Sequence, residues 1–126
     1  MKIIVNNCIA QKRHRFARGF VYDPSSKDKK IAIQQIKEQF TGKPYTDALK
    51  IKFVFHIKRP KSHWNKYSLK KTAPVYHTKR PDIDNFVKFY MDCMNKLVYL
   101  DDSQVIEIYA KKAYNDLSES YTEIII

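Results

Sequence analysis

Hydrophobic and polar positions alternate without interruption in "LKIKFVFHIK", residues 49–58. Leu49, Ile51, Phe53, Phe55 and Ile57 share one face, while Lys50, Lys52, His56 and Lys58 share the other. A period of two marks a half-buried strand, here with a basic outer face. The period changes after Pro81. Ile83, Phe86, Val87, Tyr90, Met91, Met94, Leu97 and Val98 recur at three- and four-residue spacing, with Asp82 just ahead of them. That predicts a helix with an apolar stripe and Asp82 at its N-cap position. "KIIVNNCIA" predicts a first strand, and Gly19 an irregular hairpin within "QKRHRFARGFVYDPSS". Asp23-Pro24-Ser25-Ser26 offers caps for a helix over about 26–40, with Ile33, Ile36 and Phe40 on its apolar side and Gly42 and Pro44 to end it. "QVIEIYAKKAY" and "SYTEIII" predict two strands joined by a turn at Asn115–Glu119. Residues 59–80 form a long basic connection with Trp64, Tyr67 and Tyr76, and connections of that length are usually functional or mobile. The expected fold is α+β: one domain over residues 1–126, a mixed sheet of about four strands with two main helices packed on it.

Composition agrees. With 126 residues, 44% hydrophobic and 29% charged, the chain is globular and buries a modest core. Charge adds something the pattern does not. The net charge is +11, but residues 1–80 hold 20 Lys/Arg against 4 Asp/Glu, and residues 81–126 hold 4 against 9. A basic half joined to an acidic half suggests a polyanion held by one and a cation by the other. Nucleic acid is the obvious polyanion. A solvated basic surface or a patch for anionic lipid are the alternatives that charge alone leaves open. Cys8 and Cys93 are too few for a disulfide scaffold and too far apart for a zinc knuckle, so reduced thiols in the cytoplasm are expected. No apolar run is long enough to span a membrane or to form a signal peptide. Two glycines in the whole chain, Gly19 and Gly42, exclude a phosphate-binding loop or a dinucleotide fingerprint, so no nucleotide cofactor is expected. The four histidines lie in no nucleophilic-triad context.

The acid is concentrated between Lys79 and Glu107, where Asp82, Asp84, Asp92, Asp101, Asp102 and Glu107 fall. On a helix, Asp84, Lys88 and Asp92 lie four residues apart on one stripe, opposite the apolar one. Asp82 sits at the helix mouth, and Asp101 and Asp102 follow the helix end. A strand returning alongside is expected to bring Asp102 back near Asp84. Converging carboxylates repel unless a cation sits among them, and hard oxygen ligands select Mg²⁺, Mn²⁺ or Ca²⁺. With a DNA phosphate beside them, that is the layout of metal-assisted phosphodiester hydrolysis, with Lys88 adding positive charge for the developing oxyanion. Each residue also has a plain structural reading: Asp82 as an N-cap, Asp84–Lys88 as a surface ion pair, Asp101-Asp102-Ser103 as a turn. An EF-hand is excluded, because Val87 stands where its loop needs glycine.

The stretch "RPDIDNFVKFYMDCMNKLVYLDDSQVIE" resembles the central motif of the RusA family of Holliday-junction resolvases. Pro81, Asp82, Asp84, Asn85, Lys88, Asp92, Asp101, Asp102 and Gln104 match that motif in order. Weaker agreement extends to the Arg13–Arg18 segment, to Pro60–Ser62 and to "VYHTKRPD". Many members carry glycine after the helix, where this chain has "MNKLVYLDD". The resemblance implies a small homodimeric endodeoxyribonuclease that cuts four-way DNA junctions symmetrically with Mg²⁺ or Mn²⁺, in recombination and repair within a bacterial or phage-infected cell. It places the essential carboxylates on Asp82, Asp84 and Asp102, with Asp101 assisting as a metal ligand, and the essential lysine on Lys88. Candidate DNA contacts are Arg13, Arg15, Arg18, Lys58, Arg59, Lys61, Lys79 and Arg80, with Trp64 or Tyr67 stacking on unpaired bases. The competing readings are a non-catalytic DNA-binding module with a structural acidic cluster, and an adaptor that meets a protein through its acidic half.

Overall fold

The computed structural model describes residues 1–126. Strand β1 spans Lys2–Asn6, a hairpin forms from β2 (Arg15–Ala17) and β3 (Phe20–Tyr22), and helix α1 spans Ser26–Gln39. Then come β4 (Leu49–Lys58), α2 (Ile83–Met94), β5 (Val105–Asn115) and β6 (Tyr121–Ile125), with single 3₁₀ turns at Lys61–His63 and Asp102–Gln104. The main sheet has the order β1-β6-β4-β5. β4 runs parallel to β5 and antiparallel to β6, and β6 runs antiparallel to β1. This is the expected mixed four-stranded α+β sheet with two helices. The hairpin forms a second, two-stranded sheet of its own.

The core lies between one sheet face and the helices. Leu49, Ile51, Phe53 and Phe55 of β4 are buried, as their alternation demands, and meet Phe86, Phe89, Tyr90, Cys93 and Met94 of α2. The Phe55 and Phe86 rings stack with centroids 4.9 Å apart. Truncating such a residue to alanine costs about 3–5 kcal/mol, because transfer and cavity terms add. α1 contributes Ala32 and Ile36, with Phe40 just past its end. It closes the β1 edge through Gln35 and Gln39, whose Oε1 atoms accept from the Asn6 and Ile4 amides at 2.7 and 2.8 Å.

Two of the expected boundaries need correction and two hold. The first strand stops at Asn6, because Asn7 turns into the left-handed region at φ 76° and the chain leaves the sheet. α1 spans Ser26–Gln39, within a residue of the expected helix, and Phe40 is already extended before Gly42 is reached. β5 and β6 are two strands joined by a turn, as expected, and β4 lies between them and pairs with both. α2 stops at Met94, and Lys96 takes a φ of 65°, the backbone position that glycine fills most cheaply after a helix.

The parallel β4–β5 pair positions the site. Parallel neighbours need a crossover, and here α2 is that crossover. The helix therefore runs opposite to both strands. The far part of β5 returns to the helix N-terminus, where Lys112 Nζ donates to the carbonyls of Lys79 and Pro81 at 3.0 and 3.1 Å.

Candidate active site and nucleic-acid interface

The first turn of α2 presents two free carboxylates. Asp82 stands at the N-cap position, yet its side chain accepts no capping hydrogen bond. Asp84 follows in the first turn, and both residues are exposed. Asp82, Asp84 and Lys88 take part in none of the ion pairs of the molecule, so the plain Asp84–Lys88 surface pair is not formed. A helix N-terminus tolerates such carboxylates well, since its dipole favours negative charge. The turn itself is anchored on the other side: the Gln11 amide donates to Asn85 O at 2.9 Å.

Asp82 and Asn85 line a cleft of about 820 Å³ whose wall also carries Lys12, Arg13, Asp28 and Arg80. The wall is held by the chain between β1 and the hairpin. Tyr90 Oη accepts from the Ile9 amide at 3.1 Å and donates to Asn7 O at 3.0 Å. The cleft thus gathers three cationic side chains and two carboxylates, Asp28 and Asp82, that take part in no ion pair.

Asp102 is not in this cleft. It opens the 3₁₀ turn before β5, beside Tyr99, whose hydroxyl donates to Met91 O in the last turn of α2 at 2.8 Å. Burial and then the nearby Asp102 carboxylate push the Tyr99 hydroxyl pKa up. Asp84 and the helix end are separated by about 12–15 Å at 1.5 Å per residue. Within one chain, no three His, Cys, Asp or Glu side chains come together in a metal-holding group. The returning strand brings back Lys112, because Asp102 sits at the strand's beginning. Asp92, on the Asp84–Lys88 stripe, is paired with Lys29 of α1 at 3.3 Å.

Asp101 caps the 3₁₀ turn: its Oδ2 accepts from the Ser103 amide at 2.9 Å, and the Ser103 side chain, then that amide, hold its pKa below the usual carboxylate value. Gln104 completes the turn. Its Oε1 accepts from the Leu100 and Asp101 amides, and its Nε2 donates to the carbonyls of Tyr45 and Asp47. One side chain therefore fastens the two-aspartate loop to the segment before β4. Gln104 stood in the sequence motif, but only these contacts give it a purpose.

The proposed DNA contacts divide. Arg13 and Arg80 line the cleft, Arg15 lies on β2, and Arg18 sits at the hairpin turn with Gly19, at φ 52° and 79°. Lys61 and Lys79 are exposed, Lys58 is exposed and paired with Glu119, and Trp64 is half-buried in a bridge with Leu69. Arg59 is the exception. It is 8% exposed, and its guanidinium bonds Asp116 and the Pro74 carbonyl while stacking on the Tyr114 ring at 4.3 Å. Its charge is spent on tying residues 59–80 to the sheet, so it has no free face for a phosphate. Lys12, which sequence reasoning did not single out as a contact, lines the cleft instead.

Cys8 and Cys93 are free thiols, and burial pushes their pKa values up to about 11 and about 12. Neither is suited to act as a nucleophile at neutral pH. No helix is long and apolar enough to cross a membrane.

Comparison with known proteins places these residues in context. A Bacillus subtilis (strain 168) protein, the uncharacterized protein YqaN, is 39% identical over 70 residues, which is 53% of this chain and 48% of that protein. The crossover junction endodeoxyribonuclease rusA of Lactococcus phage r1t is 35% identical over 77 residues, 60% of this chain and 51% of that protein. The matches span about half the length of these curated relatives. The family model for endodeoxyribonuclease RusA matches residues 7–126, from the end of β1 through the cleft, both aspartate clusters and β6. The chain belongs to the RusA endodeoxyribonuclease family.

Proposed function

We propose that this protein is a divalent-metal-dependent endonuclease that cuts four-way DNA junctions as a two-fold dimer. The observation that carries the reading is the cleft that Asp82 lines together with Lys12, Arg13 and Arg80, with Asp84 and Lys88 free of ion pairs on the same helix. Family membership and the phage relative's name support the same chemistry.

The donor set suits Mg²⁺ or Mn²⁺. Asp82 and Asp84 offer hard oxygen atoms with no cap or ion pair to give up, and Mg²⁺ is commonly held by one or two carboxylates together with substrate phosphate. When bound, the ion supplies Lewis-acid stabilisation of the phosphate and a more acidic water. The protein's own groups do the rest. Lys12, Arg13 and Arg80 hold phosphates along the cleft, and Lys88 offsets charge developing at the attacked group.

Asp102 stands at the other end of α2, so it serves its own chain's Asp82–Asp84 pair poorly. A second copy related by a two-fold axis offers its Asp102 instead. β5 is an edge strand, and Leu100, Ile106 and Ile108 beside Asp102 are 53%, 65% and 43% exposed, an apolar border suited to such a copy. A symmetric pair also provides the two matched cuts that a four-way junction needs.

The test is a nicking assay on a synthetic four-way junction beside linear duplex, with Mg²⁺, with Mn²⁺ and with EDTA. Paired cuts in the junction that disappear in EDTA are expected. Full activity in EDTA, or binding without any cutting in either metal, overturns the reading, the latter in favour of a non-catalytic DNA-binding module.

A further inference from the structure

The hairpin β2–β3 stands apart from the rest of the fold. Its two strands pair only with each other, and Phe16, Phe20, Val21 and Tyr22 are 74%, 74%, 69% and 44% exposed. Pairing places Phe16 beside Val21 on one face, and Phe20 and Tyr22 on the other, with Arg15 and Ala17. Both faces are therefore apolar and bare. An isolated two-stranded hairpin is marginally stable in water, so its shape must be imposed elsewhere.

The imposing element is the hairpin's root. Asp23 Oδ1 accepts from the Ser25 amide and from Gln11 Nε2, at 2.8 and 3.0 Å. Ser25 Oγ accepts from the Lys12 amide at 3.0 Å, and Lys29 Nζ pairs with Asp23 at 2.6 Å. Ser25 and Gln11 are buried, at 0% and 9% exposure. At the tip, Arg18 and Gly19 both take positive φ, as a tight two-residue hairpin turn requires. A rigid root and a tight tip hold an aromatic blade about 10 Å long, three residues at 3.3 Å each.

Its surroundings indicate what the blade meets. No acidic residue precedes Asp23, whereas Lys12, Arg13, Arg15 and Arg18 run along the hairpin and its root. Lys12 and Arg13 also line the Asp82 cleft. A phosphate chain held there passes the hairpin.

We infer that this hairpin is a wedge for the branch point of DNA, taking unstacked bases against Phe16 and Phe20 while the flanking arginines hold the phosphates. Apolar wedges and aromatic platforms both act on bases in this way. The inference rests on the junction-endonuclease reading and names how that substrate is told from duplex.

The experiment uses a four-way junction with 2-aminopurine at the branch, in EDTA so that nothing is cut. Binding of the wild type should raise the fluorescence several-fold. The Phe16→Ala/Phe20→Ala double variant should lose most of that rise, bind the junction within about threefold of wild type through phosphate contacts, and bind linear duplex unchanged. A second measurement uses Phe20→Trp in a Trp64→Phe background, where junction, and not duplex, should quench the indole emission. A full 2-aminopurine response in the double variant overturns the wedge, as does unquenched Trp emission at saturating junction. Conversion of the double variant from dimer to monomer also overturns it, by showing that a second copy covers the blade. Wild type that opens the branch but never cuts with metal removes the nuclease and leaves the wedge standing.

Discussion

Lys29 Nζ lies 2.6 Å from the Asp23 carboxylate, in a pair whose side chains are only 16% and 18% exposed. The same ammonium reaches Asp92 at 3.3 Å. One cation of α1 thus fastens the hairpin root to the back of α2. It also explains why Asp92, on the Asp84–Lys88 stripe, belongs to the scaffold.

Acid should loosen this joint. The Lys29 hydrogen bond holds the Asp23 carboxyl below its ordinary 3.8, at about 2. The folded value is the lower one, so the stabilisation is complete above pH 3.8 and is lost as pH falls toward 2. Urea midpoints should fall across that window for the wild type and fall less for Lys29→Met, which has already lost the pair. Parallel acid limbs for the two proteins would show that the joint contributes nothing.

Asp84→Asn should abolish cutting while junction binding survives or tightens, since a negative charge beside phosphate has gone. Lys88→Ala should bind metal normally and cut about 10²-fold more slowly, the usual loss for one electrostatic stabiliser. Single-turnover rates at saturating Mg²⁺, with gel-shift binding of each variant, make the comparison. Normal cutting by both would leave only a DNA-binding module.

A site shared between two copies has a signature in mixtures. Asp84→Asn and Asp102→Asn should each be inactive alone. Mixed and allowed to exchange, they should regain single-strand nicking, because one of the two sites in the hybrid keeps Asp84 from one copy and Asp102 from the other. Mixtures as dead as the parents would place the whole site within one chain.

Arg59 and Arg13 should fail in different ways. Arg59→Ala removes a guanidinium that bonds Asp116 and Pro74 O, and should cost about 2–3 kcal/mol of stability. Arg13→Ala should leave stability within about 0.5 kcal/mol and lower the salt dependence of binding by roughly one counterion. Denaturation curves and binding across a salt series separate the two.

Lys96→Gly should stabilise the fold by about 0.5–1 kcal/mol, because Lys96 pays for a φ of 65° after α2 that glycine adopts freely. A lower thermal midpoint in the variant would contradict this account of the helix end.

What the sequence determined by itself was what local periodicity and local chemistry encode. The strict alternation of residues 49–58 gives β4, and the Phe86–Met94 spacing gives α2, because a side chain's direction repeats with the backbone geometry of its own element. Asp82, Asp84 and Lys88 could be placed on one helix for the same reason. Tertiary structure decided whatever depends on chain direction. Both β4 neighbours were visible as strands, but only packing set β4 between β5 and β6. The parallel β4–α2–β5 crossover makes the helix oppose the strand, so Asp102, twenty residues after Asp82, comes to rest at the far end of α2. Arg59 and Arg13 look alike in sequence; burial against Tyr114 and Asp116 made one a staple and left the other facing the cleft. Periodicity carries no information about such long-range partners, because they are fixed by which surfaces exclude water together.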